Sequence, residues 1–164
     1  MELVLVSLGS NLGNSRQVIA SACERLAAAS RKPLRQSSCW LSTPVDCPPG
    51  SPKFINAAAA LWLGPEHEPE SFLRQLQQLE REFGRQPKKI LNEPRPLDLD
   101  LITYGSQTRD TESLKLPHPR AHLRRFVLQP LSELAPSLVL PGQARSIAEL
   151  LAGLVSDEIL ERAD

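Results

Sequence analysis

The chain is short of aromatic residues: one tyrosine, two tryptophans and four phenylalanines in 164 positions. Its formal net charge is zero. Together these argue against a sheet that stacks nucleic-acid bases and against a surface that attracts polyanions at long range. No apolar run approaches the roughly 18 residues that read as a membrane span. The opening ELVLVSL lacks the basic start of a signal peptide. The expectation is a cytoplasmic protein that engages neither membrane nor nucleic acid. The three cysteines, Cys23, Cys39 and Cys47, are odd in number and show no CxxC spacing. That excludes a zinc ribbon and a disulfide framework and fits reduced thiols.

Proline, in contrast, is plentiful, with 15 residues gathered in segments 44–52, 65–69, 87–96 and 117–136. They mark loops between well-patterned elements. At 41% hydrophobic and 23% charged residues, the composition is that of one globular domain over residues 1–164. Residues 2–8 read as a buried strand, ended by the turn Gly9-Ser10-Asn11-Leu12-Gly13. That turn lacks P-loop and GxGxxG spacing and reads as structural rather than as a phosphate cradle. Asn14 caps a helix to about residue 29, with Gln17 in the capping-box position. A less regular strand covers 34–42. Phe54 to Leu63 is a strand by length and flanking prolines, although its four alanines also suit a helix. Asn56, near its start, either meets a ligand edge or satisfies nearby backbone. Pro69 opens a helix to about Phe83 with Phe72, Leu73, Leu76 and Leu79 inward, and Gly84 ends it. Gln77 and Glu80 flank that stripe, where a solvated face is the default. Leu114 to Leu116 is a short strand, a helix covers 127–134 and ends at Pro136, and Ser146 with Glu149 caps a last helix. Residues 157–164 read as a solvated acidic tail.

The stretch with chemistry is Pro94-Arg95-Pro96-Leu97-Asp98-Leu99-Asp100-Leu101-Ile102. Its period of two is that of a strand with leucines on one face and aspartates on the other. Same-face neighbours stand about 6.5–7 Å apart. That is close enough for two carboxylates to converge on a pair of divalent ions roughly 3.5–4 Å apart. The same alternation is also that of an edge strand with one wet face. Arg95 beside it, and the basic run from Arg85 through Lys88 and Lys89, favour phosphate chemistry. The order strand, helix, strand, strand, helix, strand predicts an α+β fold, a ferredoxin-like βαββαβ antiparallel sheet with helices packed on one face and a C-terminal extension. In that arrangement the aspartate strand is expected to be central.

Six pieces occur in family order: Gly9-Ser10-Asn11-Leu12-Gly13, Thr43-Pro44, Phe54-Ile55-Asn56-Ala57-Ala58, Glu80 to Arg85, Pro94 to Asp100, and Leu116-Pro117-His118-Pro119. With them the chain resembles the 6-hydroxymethyl-7,8-dihydropterin pyrophosphokinases of folate synthesis. The resemblance implies transfer of the pyrophosphoryl group of ATP to the reduced pterin, with release of AMP. It implies two Mg²⁺ ions on Asp98 and Asp100, and Arg85 and Arg95 on the phosphates. The nucleotide side would be Gln77, Glu80, Lys88, His118 and Arg124. The pterin side would be Thr43, Pro44, Phe54, Asn56 and Phe126. ATP and the pterin are the expected partners of a monomer. Departures fall near the lid: Asn92 and Glu93 replace a tryptophan and a glycine, Pro87 and Lys88 occupy the place of a second arginine, and Pro119 replaces a tyrosine. The alternative is therefore a pterin- or nucleotide-binding relative with little or no turnover. Loops 43–53 and 85–96 are expected to close over bound ligands.

Overall fold

The computed structural model describes residues 1–43, 50, 52–84 and 96–163. Strand β1, Glu2–Ser10, is followed by helix α1, Ser15–Ala27. Asn14 Oδ1 accepts from the Gln17 N–H at 3.4 Å, but the Gln17 side chain turns to Ser21 Oγ, so the expected reciprocal half of the box is not made. The irregular second strand divides into β2, Arg35–Gln36, and β3, Trp40–Ser42. Strand β4, Phe54–Leu63, and helix α2, Pro69–Glu82, follow as expected, and Gly84 takes φ +96° after the helix. Strand β5 is Asp98–Tyr104. A small hairpin follows, β6, Arg109–Asp110, paired with β7, Lys115–Leu116. Helices α3, Arg125–Leu134, and α4, Ile147–Gly153, complete the helical part. Ser146 and Glu149 form the reciprocal cap of α4. The acidic end is not merely a solvated tail: β8, Leu160–Arg162, pairs antiparallel with β3.

The strand order β5-β1-β4-β3-β8 is antiparallel at each described pairing. It is the ferredoxin-like arrangement, extended by one strand from the C-terminal segment. Two expectations are corrected. The aspartate strand β5 lies at the edge, and β1 and β4 are central. Its carboxylates therefore escape the burial that a covered central strand would impose. Helices also lie on both faces. Val4, Val6, Leu8, Leu99 and Leu101 meet α1 and α2, while Leu5, Ala58, Ala60 and Ile102 meet α3 and α4. The alanines of β4 explain how one strand serves both layers. Ala57 and Ala59 face one way, Ala58 and Ala60 the other, and all four are buried. Small side chains let both layers approach the backbone, so packing overrides the weak strand preference of alanine.

Candidate active site

The β1–β5 register places Gly9 opposite Asp98 and Ser7 opposite Asp100, and the β1–β4 register places Gly9 opposite Asn56. Directly paired residues share a face. Asp98, Gly9 and Asn56 thus form one row across three strands, with Asp100 and Ser7 in the next. Leu97, Leu99 and Leu101 fill the core on the other face. Asp98 and Asp100 are both half-buried. A Cβ on Gly9 would stand 3.6 Å from Phe54 Cδ1 and 3.7 Å from Asn56 Oδ1. Glycine there leaves a backbone floor between the carboxylates and the Phe54–Asn56 wall. Asn56 is 3% exposed. Its amide nitrogen donates to Ser42 Oγ at 2.7 Å and to the Trp40 carbonyl at 3.3 Å. The local partner therefore fixes how Asn56 is oriented. Thr43, next to Ser42, is exposed.

The outer edge of β5 is occupied by side chain and loop. Glu80 Oε2, from α2, accepts from the Leu99 N–H at 2.7 Å. Gln77, one turn earlier, is exposed. The β1–β5 register shifts between Leu5 and Val6, leaving Ile102 as an extra bulged residue. The Ile102 carbonyl accepts from the His118 N–H at 2.9 Å. This bond docks the turn after β7 onto the aspartate strand. Burial, and then the Arg124 and Arg120 charges, push the pKa of His118 down to about 4, while Asp98 pulls the other way. The imidazole is neutral at pH 7. Its Nδ1 accepts from the Arg120 N–H at 3.2 Å, which puts the ring proton on Nε2. Arg124 lies 5.4 Å over the Phe126 ring.

Ten of the fourteen residues singled out in the sequence thus lie in the described part. Asp98, Asp100, Phe54 and Asn56 share one sheet face. His118 and Arg124 approach from the segment between β7 and α3, Phe126 from the first turn of α3, and Gln77 and Glu80 from α2. Pro44, Arg85, Lys88 and Arg95 lie outside the described residues, as do most of the two loops expected to close. Among the described residues no three metal-ligating side chains cluster. The carboxylate pair is a sparse set of hard oxygens, as suits Mg²⁺ that also takes phosphate and water oxygens. Sequence reasoning missed Ser42 and Trp40, which orient Asn56. Their partnership crosses 14 to 16 positions and leaves no local signal. A groove of about 520 Å³ between α1 and α2, lined by Arg25, Arg74 and Arg81 among others, contains none of these residues. It lies on the opposite side of the sheet, and its size gives it no claim on the chemistry.

Fold and site define the class as a ferredoxin-like α+β domain that carries a carboxylate pair beside a neutral histidine and an arginine. The comparisons with known proteins are more specific. A profile of the 7,8-dihydro-6-hydroxymethylpterin-pyrophosphokinase family matches residues 5–136. The chain belongs to that family and is an enzyme of pyrophosphoryl transfer. It is 40% identical over 156 residues to the 2-amino-4-hydroxy-6-hydroxymethyldihydropteridine pyrophosphokinase of Pseudomonas aeruginosa, covering 93% of this chain and 91% of that one. Its counterpart from Haemophilus influenzae is 32% identical, with 95% of each chain covered. A folic acid synthesis protein of Pneumocystis carinii is 39% identical, and there the chain spans only 21% of the relative's length. The fold is shared with the crystal structure of an HPPK-DHPS in complex with substrates, at TM-score 0.71 and 10% identity, covering 93% of this chain and 45% of that one. Among the described residues no helix is long and apolar enough to cross a membrane.

Proposed function

We propose that this chain transfers the β,γ-pyrophosphoryl group of ATP to the hydroxymethyl oxygen of 6-hydroxymethyl-7,8-dihydropterin, with AMP as the second product. The observation that carries the reading is the cross-strand row Asp98–Gly9–Asn56 with Asp100 beside it. It sets a carboxylate pair and a ring-edge amide on one face, separated by bare backbone. Asp98 and Asp100 would hold two Mg²⁺ ions, which would supply charge neutralisation for the transferring group and acidify the attacking hydroxyl. Asn56 meets the polar edge of the pterin, Phe54 and Phe126 take its ring faces, and Thr43 and Pro44 close that side. The neutral His118 offers its Nε2–H to a phosphate oxygen. Arg124, with Arg85, Lys88 and Arg95, neutralises phosphate charge, and Gln77 and Glu80 border the nucleotide. Phosphoryl transfer depends mainly on such positioning and charge stabilisation.

The protein is further proposed to act as one domain over residues 1–164, as a monomer, in the cytoplasm. The test is AMP release from ATP with and without the pterin and Mg²⁺. Wild-type protein should require both. Asp98→Ala and Asp100→Ala should each lose turnover by about a hundredfold or more while keeping the wild-type melting profile. Tight pterin and ATP binding without AMP release by the wild type would favour the non-catalytic relative, for which the departures at Pro87, Asn92, Glu93 and Pro119 speak.

A further inference from the structure

The family match ends at residue 136, yet the segment beyond it returns to both walls of the pterin side. Its first anchor is the N-terminus of α3. That helix has no acidic residue in its first turn, and its N-cap, Arg124, supplies no side-chain cap. The missing acceptor comes from 33 residues downstream: Glu158 Oε2 accepts from the Arg125 N–H at 2.9 Å and from Ser156 Oγ at 2.8 Å. A carboxylate at a helix N-terminus is favourable for both the exposed N–H and the helix dipole. Arg125 in turn donates from its guanidinium to the Leu154 carbonyl at 3.1 Å. Arg124 and Phe126 flank the residue held in this way. Glu158 Oε1 is buried with no hydrogen-bond partner among the described residues.

The second anchor is β3. Strand β8 pairs Arg162 with Trp40 and Leu160 with Ser42, and the Ala163 N–H donates to the Cys39 carbonyl at 3.0 Å. The Arg162 guanidinium lies 5.4 Å from the centroid of the Trp40 ring, whose Nε1–H donates to Glu133 of α3 at 2.8 Å. Trp40 and Ser42 are the two residues that orient Asn56.

We propose that Leu154–Ala163 is a positioning strap for the pterin side of the site. Glu158 acts through the Arg125 N–H on Arg124 and Phe126, and Arg162 acts through Trp40 on Asn56. This rests on the pterin-side assignment made under Proposed function. Glu158 and Arg162 are positioning residues and touch no reacting atom. The test measures KM for pterin and for ATP separately, with pterin affinity read directly by fluorescence in the presence of Mg²⁺ and a non-hydrolysable ATP analogue.

Glu158→Ala and Arg162→Ala should each raise the pterin KM and dissociation constant about three- to tenfold, with the ATP KM changed less than about twofold. Glu158→Gln keeps an oxygen acceptor, and Arg162→Lys keeps a cation over the ring, so each should recover most of the loss. Parallel rises in both KM values, no change in either, or equal damage from the conservative variants would overturn the strap. Wild-type protein that binds pterin but releases no AMP would defeat the catalytic reading alone, and the direct binding comparison would still decide the strap. Wild-type protein that binds no pterin would defeat both.

Discussion

At the scale of single residues, Glu80 has two roles to reconcile. Its spacing alone suits a solvated helix face, and the family resemblance puts it beside the nucleotide. The structure gives its carboxylate to the Leu99 N–H, a backbone donor on an edge strand that would otherwise lack a partner in the sheet. Glu80→Ala should therefore destabilise the protein by about 1–3 kcal/mol, the cost of leaving such a donor unmet. Glu80→Gln, which keeps an acceptor, should restore most of that in urea unfolding. Equal stability of the two variants would show that the bond contributes little. Cys23 is 4% exposed, and burial first, with Cys39 second, pushes its thiol up to about 12. Because the thiolate is the reactive form, alkylation at pH 8 followed by peptide mass analysis should leave Cys23 unlabelled until denaturant is added. Asn56 shows the limit of reading a residue in isolation. Its nearness to a strand start is visible in the sequence, but the orientation of its amide is fixed by Ser42 and Trp40, which share its face only after β3 and β4 pair.

At the scale of elements, β4 is the most exacting. Its alanine run was ambiguous between helix and strand because periodicity cannot distinguish a fully buried strand from a buried helix segment. Packing layers on both faces resolves it. The same layers make the run intolerant of added volume: Ala59, 0% exposed, when changed to Leu should lose about 1–3 kcal/mol through overpacking. Thermal unfolding of Ala59→Leu beside an exposed control such as Ala148→Leu would reveal the difference, and matching melting temperatures would refute it. Strand β5 teaches a different lesson. Alternation correctly gave its two faces, but its place in the sheet is a property of all the pairings. At the edge, its outer backbone is open to Glu80 and to the turn carrying His118. That access brings α2 and the β7–α3 segment alongside the two aspartates.

At the scale of the whole molecule, ion pairs tie distant segments. Arg31 meets Glu66 at 2.6 Å and Arg109 meets Glu70 at 2.7 Å. Both carboxyls are held below their usual range, each chiefly by the hydrogen bond from its arginine. A depressed carboxyl pKa contributes stability above its unfolded value that is lost as pH falls through the folded one. His118 acts in the same direction for the opposite reason. Its folded pKa of about 4 lies below the ordinary 6.5, so between these values the unfolded chain binds the extra proton and stability falls as pH is lowered. Metal-free protein should therefore melt at progressively lower temperature from about pH 6.5 downward. His118→Asn should flatten the portion between 6.5 and 4. A wild-type profile flat across that window would mean that His118 is not buried as neutral imidazole.

The sequence by itself determined what is local. Period-two alternation placed the aspartates opposite the leucines. Asn14, Ser146 and Gly84 marked helix ends, because caps act within three or four positions. The ordered motifs from Gly9 to Pro119 carried the family. Only the tertiary structure decided what depends on remote partners. It put β5 at an edge, divided the strand at 34–42, inserted Ile102 as a bulge and drew residues 160–162 into the sheet. The physical reason is that strand pairing and helix capping from afar satisfy backbone groups wherever a suitable partner arrives. The Glu158 carboxylate that caps α3 from 33 residues away has no local pattern to announce it, since its partner N–H is set beside it only by the completed fold.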